Sequence, residues 1–252
     1  MKKIAKILAA VLALSLMISI TACSKKGLTV DDIKNQGTLI VATNAEFPPF
    51  EYKSGNDFVG FDMDLTKLIA DEMGVSFKVS DMLFDNIVVA IKSGNAHLGA
   101  AGMTIKPDRL ANVDFSEPYF SANQVIILKE DAEFTATSEL KNMKIGVQDG
   151  TTGAEYVRDN INEPQGFESG ALAIEALKAG QIDCVVIDNY PALEFVKKNE
   201  GLKIYETPLT EEEYAIAVPK NSPELVKFIN DTIQKLKDNG KFDELLEKYD
   251  LK

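Results

Sequence analysis

Apolar residues recur along this chain at two alternating periods. Short runs such as TLIVATN (38–44), FKVSD (77–81) and HLGAA (97–101) have the length and composition of buried strands. Between the first two, FDMDLTKLIADEMG (61–74) sets Phe61, Leu65, Leu68 and Ile69 at helical spacing and closes on Gly74. FDNIVVAIKSG (84–94) repeats the helical pattern with Phe84, Ile87, Val88 and Ile91 on one face. FEY and FVGF flank the turn KSGND as a hairpin-like excursion. These two strand–helix–strand units predict a mostly parallel sheet under helical cover.

The pattern then restarts. MKIGV (143–147) runs into DGTTG (149–153), where a helix opens, and ALAIEALKAG (171–180) is a second helix. QIDCVVID (181–188) is a strand ending in an acid, followed by the helix YPALEFVKKNEG and the short strand LKIYET. A second α/β unit therefore spans roughly 130–212. EEYAIAVPK (212–220) predicts one further strand. SPELVKFINDTIQKLKDNG predicts a long helix with Ser222 as cap, Pro223 in the first turn, and Leu225, Phe228, Ile229, Thr232 and Leu236 in period. KFDELLEKYD is a last short helix. In such units ligands bind beyond the carboxyl ends of the strands, so two facing lobes predict a cleft between them.

The first residues have a different character. MKKIAK is basic, ILAAVLALSLMISI is an apolar run of signal-peptide length, and TAC follows. Cys23 directly after Ile20, Thr21 and Ala22 is the pattern of a bacterial lipobox, in which the cysteine is acylated and becomes the new N-terminus. The expected organisation is a signal peptide over 1–22, then a lipidated N-terminus and polar tether over 23–36. Removing residues 1–22 takes away three lysines and no acid, which leaves 24 basic against 39 acidic residues and a charge of −15. That balance, with no local Lys/Arg cluster, argues against a nucleic-acid binder. Cys184 is then the single remaining cysteine, and its apolar run DCVVI predicts a buried, inert thiol. His97 is the only histidine, so no zinc constellation and no Cys/His nucleophile pair is expected. No catalytic residue and no cofactor is predicted.

The loops carry the chemistry. In GMTIKPDR (102–109), Gly102 allows close backbone approach, Thr104 adds a hydroxyl, and Arg109 offers a rigid fork for a carboxylate or phosphate. Residue types alone also allow Arg109 to do no more than tie a helix start to the surface. DGTTG lacks the GK[ST] ending of a phosphate loop, and the first strand is not followed by GxGxxG. What remains is a Gly-Thr-Thr turn opening a helix, whose free N–H groups suit an anion, with Thr151 and Thr152 open to use as caps. Asp188 can accept from an ammonium or cap the helix after it. Phe47, in the turn EFPPF, and Phe84 supply apolar walls, and Phe50 is open to a core role. A cation, an anion and apolar walls between them complement a free α-amino acid zwitterion.

Four stretches taken together resemble a known family. LIVATNAEFPPFEYKSGNDFVGFDMDL, GMTIKPDR with VDFSEPYF, IGVQDGTTG and QIDCVVID occur in the order found in bacterial extracellular solute-binding proteins of the polar amino-acid type, family 3. The resemblance covers nearly all of 36–250. It implies a two-lobed, type II periplasmic-binding-protein-like α/β fold, with lobe 1 over 37–126 plus 217–252 and lobe 2 over 127–216. The lobes would be joined by crossing strands near 123–129 and 213–218, with the C-terminal helices returning to lobe 1. It implies that Arg109 takes the ligand α-carboxylate with Thr104 and the Thr152 N–H. Asp188 would take the α-ammonium with the Gly102 carbonyl and Thr104. Phe47 and Phe84 would sandwich the ligand side chain and Ala101 would line the same wall. Asn44, Glu46, Gln148 and Gly153 would lie where selectivity is set.

The implied function is capture of a free amino acid outside the cytoplasmic membrane and delivery to the permease of an ABC importer, by a monomer anchored through Cys23. The outer face of a Gram-positive membrane and the periplasm both fit that location. Some relatives carry an aspartate where this chain has Asn44, and no extra cation appears among the matched positions. The pocket therefore leans to neutral polar ligands of the glutamine or cystine type over arginine or lysine. A signalling or adhesion lipoprotein on the same fold is the alternative class, with a dehydratase-like enzyme behind it.

Overall fold

The computed structural model describes residues 27–252 except residue 206. The signal-peptide reading of 1–22 and the lipidation of Cys23 lie outside the described residues. The end of the supposed tether is not a tether. Helix α1 (Val30–Gln36) is closed by a capping box, in which the Thr29 hydroxyl accepts from the Asp32 N–H and the Asp32 carboxylate accepts from the Thr29 N–H. Ile33 is 0% exposed and joins the core, and Val30 packs against it half-buried, which is why a polar stretch packs here.

Strand β1 (Thr38–Thr43) leads into a three-stranded hairpin sheet of β2 (Glu46–Phe47), β3 (Glu51–Ser54) and β4 (Asp57–Val59). Helix α2 (Phe61–Met73) follows, and Gly74 ends it in the left-handed conformation at φ 76°. Strand β5 (Ser76–Asp81) pairs parallel with β1. The second predicted helix divides, with a 3₁₀ turn at Phe84–Asn86 before α3 (Ile87–Ser93). Strand β6 (Leu98–Gly99) lies on the other side of β1, the single turn α4 (Pro107–Leu110) carries Arg109, and β7 (Val113–Phe115) ends this stretch.

The chain then leaves the first sheet through β8 (Phe120–Ala122) and enters β9 (Gln124–Lys129). After β10 (Ile145–Gln148), α5 (Thr152–Asn160), β11 (Gln165–Phe167), α6 (Gly170–Lys178), β12 (Cys184–Asp188), α7 (Asn189–Lys198) and β13 (Leu202–Tyr205), the second sheet has the order β11-β10-β12-β9-β13. Its β9 runs antiparallel to β12 and β13, because it enters from the other lobe rather than by a helical crossover.

The return differs from the sequence expectation. EEYAIAVPK is two strands, β14 (Glu212–Tyr214) paired with β8, and β15 (Ala217–Pro219) inserted between β6 and β7. The unbroken apolar run hides a change of sheet. The first sheet is therefore β5-β1-β6-β15-β7. Helices α8 (Pro223–Asp238) and α9 (Lys241–Lys248) pack back on α2. Pro223 sits in the first turn of α8 as predicted, but Ser222 makes no capping bond and its hydroxyl is buried without a partner. Cys184 is buried, with its thiol pushed up to about 12 by burial, and His97 is a structural residue accepting from the Ile40 N–H.

The result is the two-lobed α/β fold, with a five-stranded sheet in each lobe and the β8–β14 ladder between them. Aromatic rings fill the junction. Phe50 meets Phe120 and Tyr214 edge-on, each at 5.1 Å between ring centres, and reaches Tyr190 of the second lobe at 6.1 Å. Phe50 is thus core. Ile229 on α8 is 0% exposed, so Ile229→Ala should cost about 2–5 kcal/mol. That loss is read as a lower urea midpoint at unchanged slope.

Candidate ligand-binding site

Strands β1, β10 and β12 end at the same cleft, and the loops beyond them line a small cavity. It is lined by Asn44, Phe47, Phe84, Ala101, Gly102, Thr104, Arg109, Gln148, Thr151, Thr152 and Asp188, and also by Glu51. The residues nominated from the sequence are scattered over 145 positions, and the fold brings them to one cavity. Glu46 is exposed and does not line it, and Gly153 is buried behind it, beside Gln124.

Arg109 is 5% exposed. Its Nη1 donates to the Thr104 carbonyl at 2.8 Å, and Nη2 donates across the cleft to the Gly150 carbonyl at 3.1 Å. Its Cζ stands 5.1 Å from the centre of the Phe84 ring. Among the described residues no carboxylate forms an ion pair with it. Burial lowers its pKa from the ordinary arginine value, with Asp108, Glu155, Glu212 and Asp188 opposing from farther away. A guanidinium stays charged under such pressure. The residue therefore ties down local backbone and also presents a buried, unneutralised cation to the cavity.

Asp188 precedes α7 but makes no capping bond. Instead Oδ1 accepts from the Tyr214 hydroxyl at 2.6 Å and Oδ2 from Gln124 Nε2 at 2.8 Å. It is 6% exposed, and burial pushes its carboxyl up to about 7. Nearby, the Gly102 N–H donates to Asp62 Oδ2 at 2.9 Å and the Tyr119 hydroxyl donates to Oδ1 at 2.7 Å. Burial raises Asp62 to about 6. Gly102 has φ 52°, and a β-carbon there would come within 2.9 Å of Phe47 Cε1. The Thr104 hydroxyl donates to Glu212 Oε2 at 2.7 Å.

Two amides also span the cleft. Gln148 Nε2 donates to Asn44 Oδ1 at 2.8 Å, and Asn44 Nδ2 donates to the Met82 carbonyl at 3.1 Å. Thr151 is a helix cap, accepting from the Ala154 N–H at 3.2 Å and donating to the Gln148 carbonyl at 2.8 Å. Lys106 and Glu155 form an ion pair between the lobes. Sequence reasoning missed Glu51, Asp62, Gln124, Glu212 and Tyr214. The acid in FPPFE, inside an otherwise apolar run, was the one signal for Glu51.

Gly102→Ala should weaken ligand affinity by about tenfold or more, because it strains the left-handed backbone and drives Phe47 into the cavity. Calorimetric titration of the variant reads that loss. The raised carboxyls give a pH signature. A carboxyl whose pKa rises on folding binds more protons folded than unfolded. Its contribution is therefore lost as pH climbs from the ordinary range near 4 through the folded values, about 6 for Asp62 and about 7 for Asp188. The ligand-free protein should be less stable at pH 8 than at pH 5, and Asp188→Asn should flatten the upper part of that dependence in urea titrations.

Comparison with known proteins bears on this geometry. The model of bacterial extracellular solute-binding proteins, family 3, matches residues 39–252. The arginine-binding extracellular protein ArtP of Bacillus subtilis (strain 168) is 32% identical over 248 residues, covering 93% of this chain and 96% of that one. The P235GK mutant of ArgBP from T. maritima superposes with a TM-score of 0.85 at 40% identity, over 88% of this chain and 99% of that one. An ancestral arginine-binding protein bound to glutamine gives 0.81 at 40% identity, over 86% and 99%. On the family match and these full-length similarities, the chain belongs to the bacterial extracellular solute-binding proteins, family 3.

Proposed function

We propose that this protein captures a free L-α-amino acid with a long hydrogen-bonding side chain and hands it to the permease of an ABC importer. The observation that carries the reading is Arg109, a buried cation facing the cavity with no carboxylate paired to it among the described residues. A charge in that state calls for an anionic partner. In this reading the ligand α-carboxylate takes the Arg109 fork and the Thr152 N–H. The α-ammonium goes to Asp188, the Gly102 carbonyl and the Thr104 hydroxyl. The side chain runs between Phe47 and Phe84, past Ala101, to Asn44 and Gln148.

Arginine is the first candidate and glutamine the second. This reverses the lean toward neutral ligands drawn from the sequence. Two things support the change. Asp188 and Glu51 line the cavity, with Asp62 behind Glu51, and Arg109 is the one cation among the described lining residues, which favours a ligand of positive net charge. The similar arginine-binding proteins point the same way, while the ancestral one holding glutamine supports keeping glutamine. The lobes, 37–126 plus 217–252 and 127–216, close on the ligand about the β8–β14 ladder, and the permease reads the closed form. The chain works as a monomer, held at the membrane by lipid on Cys23 after loss of 1–22.

A calorimetric screen of the unlipidated protein against the common amino acids and cystine tests this. Arginine should bind tightest, glutamine next and glutamate weakly, and the ligand should be recovered unchanged. Arg109→Ala should lower affinity by about a hundredfold or more, while circular dichroism shows both lobes folded. Unchanged affinity in that variant would sink the site assignment.

A further inference from the structure

Glu51 opens strand β3 and lines the same cavity, yet it takes part in none of the bonds described above. It is 1% exposed, and among the described residues its carboxyl oxygens meet no donor except through the Asp62 carboxyl, with which it hydrogen-bonds only while one of the two carries a proton. Its two acidic neighbours are differently placed. Both oxygens of Asp62 accept from donors, and so do both oxygens of Asp188. Two buried carboxyls in contact need a proton between them, and no other donor among the described residues meets the Glu51 oxygens.

The groups facing Glu51 offer it no countercharge. Asp62 on α2 and Asp188 at the end of β12 are acids, and the Tyr119 hydroxyl is committed to Asp62. Tyr214 is committed to Asp188, and Glu212 accepts from Thr104 and Thr210. Arg109 is turned to the Thr104 and Gly150 carbonyls, and Lys53, farther along β3, pairs with Asp81 at 2.5 Å. Burial first, then Asp62 and Asp188, hold the Glu51 pKa well above the usual carboxylate range. Asp62 belongs to the same lobe as Glu51, so that neighbour stays in place when the lobes part.

We propose that Glu51 is a second carboxyl of the ammonium subsite, beside Asp188, and exchanges its proton for the positive charge of the ligand. The inference rests on the cavity being an amino-acid site. As the ammonium enters, the Glu51 O–H bond breaks, its proton passes to solvent, and the resulting carboxylate faces the ligand –NH₃⁺. One positive charge enters and one leaves, so the buried acids gain a counterion without a net change of charge. Binding then releases a proton. Affinity rises with pH between the bound-state and ligand-free values of Glu51, by up to about tenfold per pH unit.

The test is calorimetric titration with L-arginine, or L-glutamine if arginine gives no heat, in phosphate and in Tris at pH 7. The difference between the buffers counts the protons released. The wild-type protein should release a measurable fraction of a proton per ligand. Glu51→Gln should still bind, release clearly less, and show a flatter affinity over pH 6–8. Equal release in the two proteins assigns the proton to Asp188 or elsewhere and overturns the inference while leaving the amino-acid reading intact. No release by the wild type overturns it likewise. Absence of binding by any amino acid overturns both. Independently of how the variant folds, the carboxyl ¹³C resonance of Glu51 in the ligand-free wild type should titrate well above the usual carboxylate range. An ordinary titration near 4.3 would also overturn the inference.

Discussion

The architecture turns on one buried cation. Arg109 rides on a single helical turn that Pro107 starts, beneath the Phe84 ring and against its own loop carbonyl at Thr104. Those contacts fix the direction of the guanidinium but leave its charge unneutralised. Its other bond reaches the Gly150 carbonyl of the opposite lobe. In the proposed reading, the same group answers both to lobe separation and to the presence of an anion. A carboxylate that neutralises it in the closed arrangement, and only there, biases the two-lobed equilibrium toward closure by its differential affinity. Closure and recognition then share one interaction.

The other end of the cavity obeys the converse rule. Acids gather there without a protein cation, and the fold manages them with hydroxyls and amides. Tyr119 serves Asp62, while Tyr214 and Gln124 serve Asp188. These donors come from the strands and loops at the β8–β14 ladder, so the segment joining the lobes also holds the carboxyls in position. Neutral donors lower a buried carboxyl's pKa less than burial raises it, which is why Asp62 and Asp188 stand at about 6 and about 7. In the proposed reading, an incoming ammonium finds acceptors already oriented.

The sequence and the structure agree where local chemistry decides and part where distant segments meet. Helix α2 with its terminal Gly74, helix α5 with its Thr151 cap, and strand β12 ending in Asp188 were legible because period and cap residues mark them. Helix α1 was not, since only Val30 and Ile33 betray a packed face. The split of EEYAIAVPK was invisible, because an apolar run does not say which sheet each half joins. The cavity residues in loops of Gly, Thr, Arg and Phe could be named from their chemistry together with the family resemblance. Tyr214 and Gln124 could not. Each lies in a strand that reads as core, and each matters through a partner far away in the chain.

Ligand choice falls to the neutral part of the lining. In the proposed reading, Arg109 and Asp188 address the carboxylate and ammonium that every α-amino acid shares, so they set the class and cannot rank its members. Asn44 and Gln148 bond to each other across the cleft. An amide carries both a donor and an acceptor, so such a pair can turn oxygens to a guanidinium or divide its groups to meet another amide. A carboxylate at position 44 would forgo that choice and reward cations alone. The acidic surroundings then add a field that favours positive net charge without a directed bond. Geometry that tolerates both arginine and glutamine, with electrostatics that ranks them, follows from placing the neutral groups at the ligand side chain and the charges elsewhere.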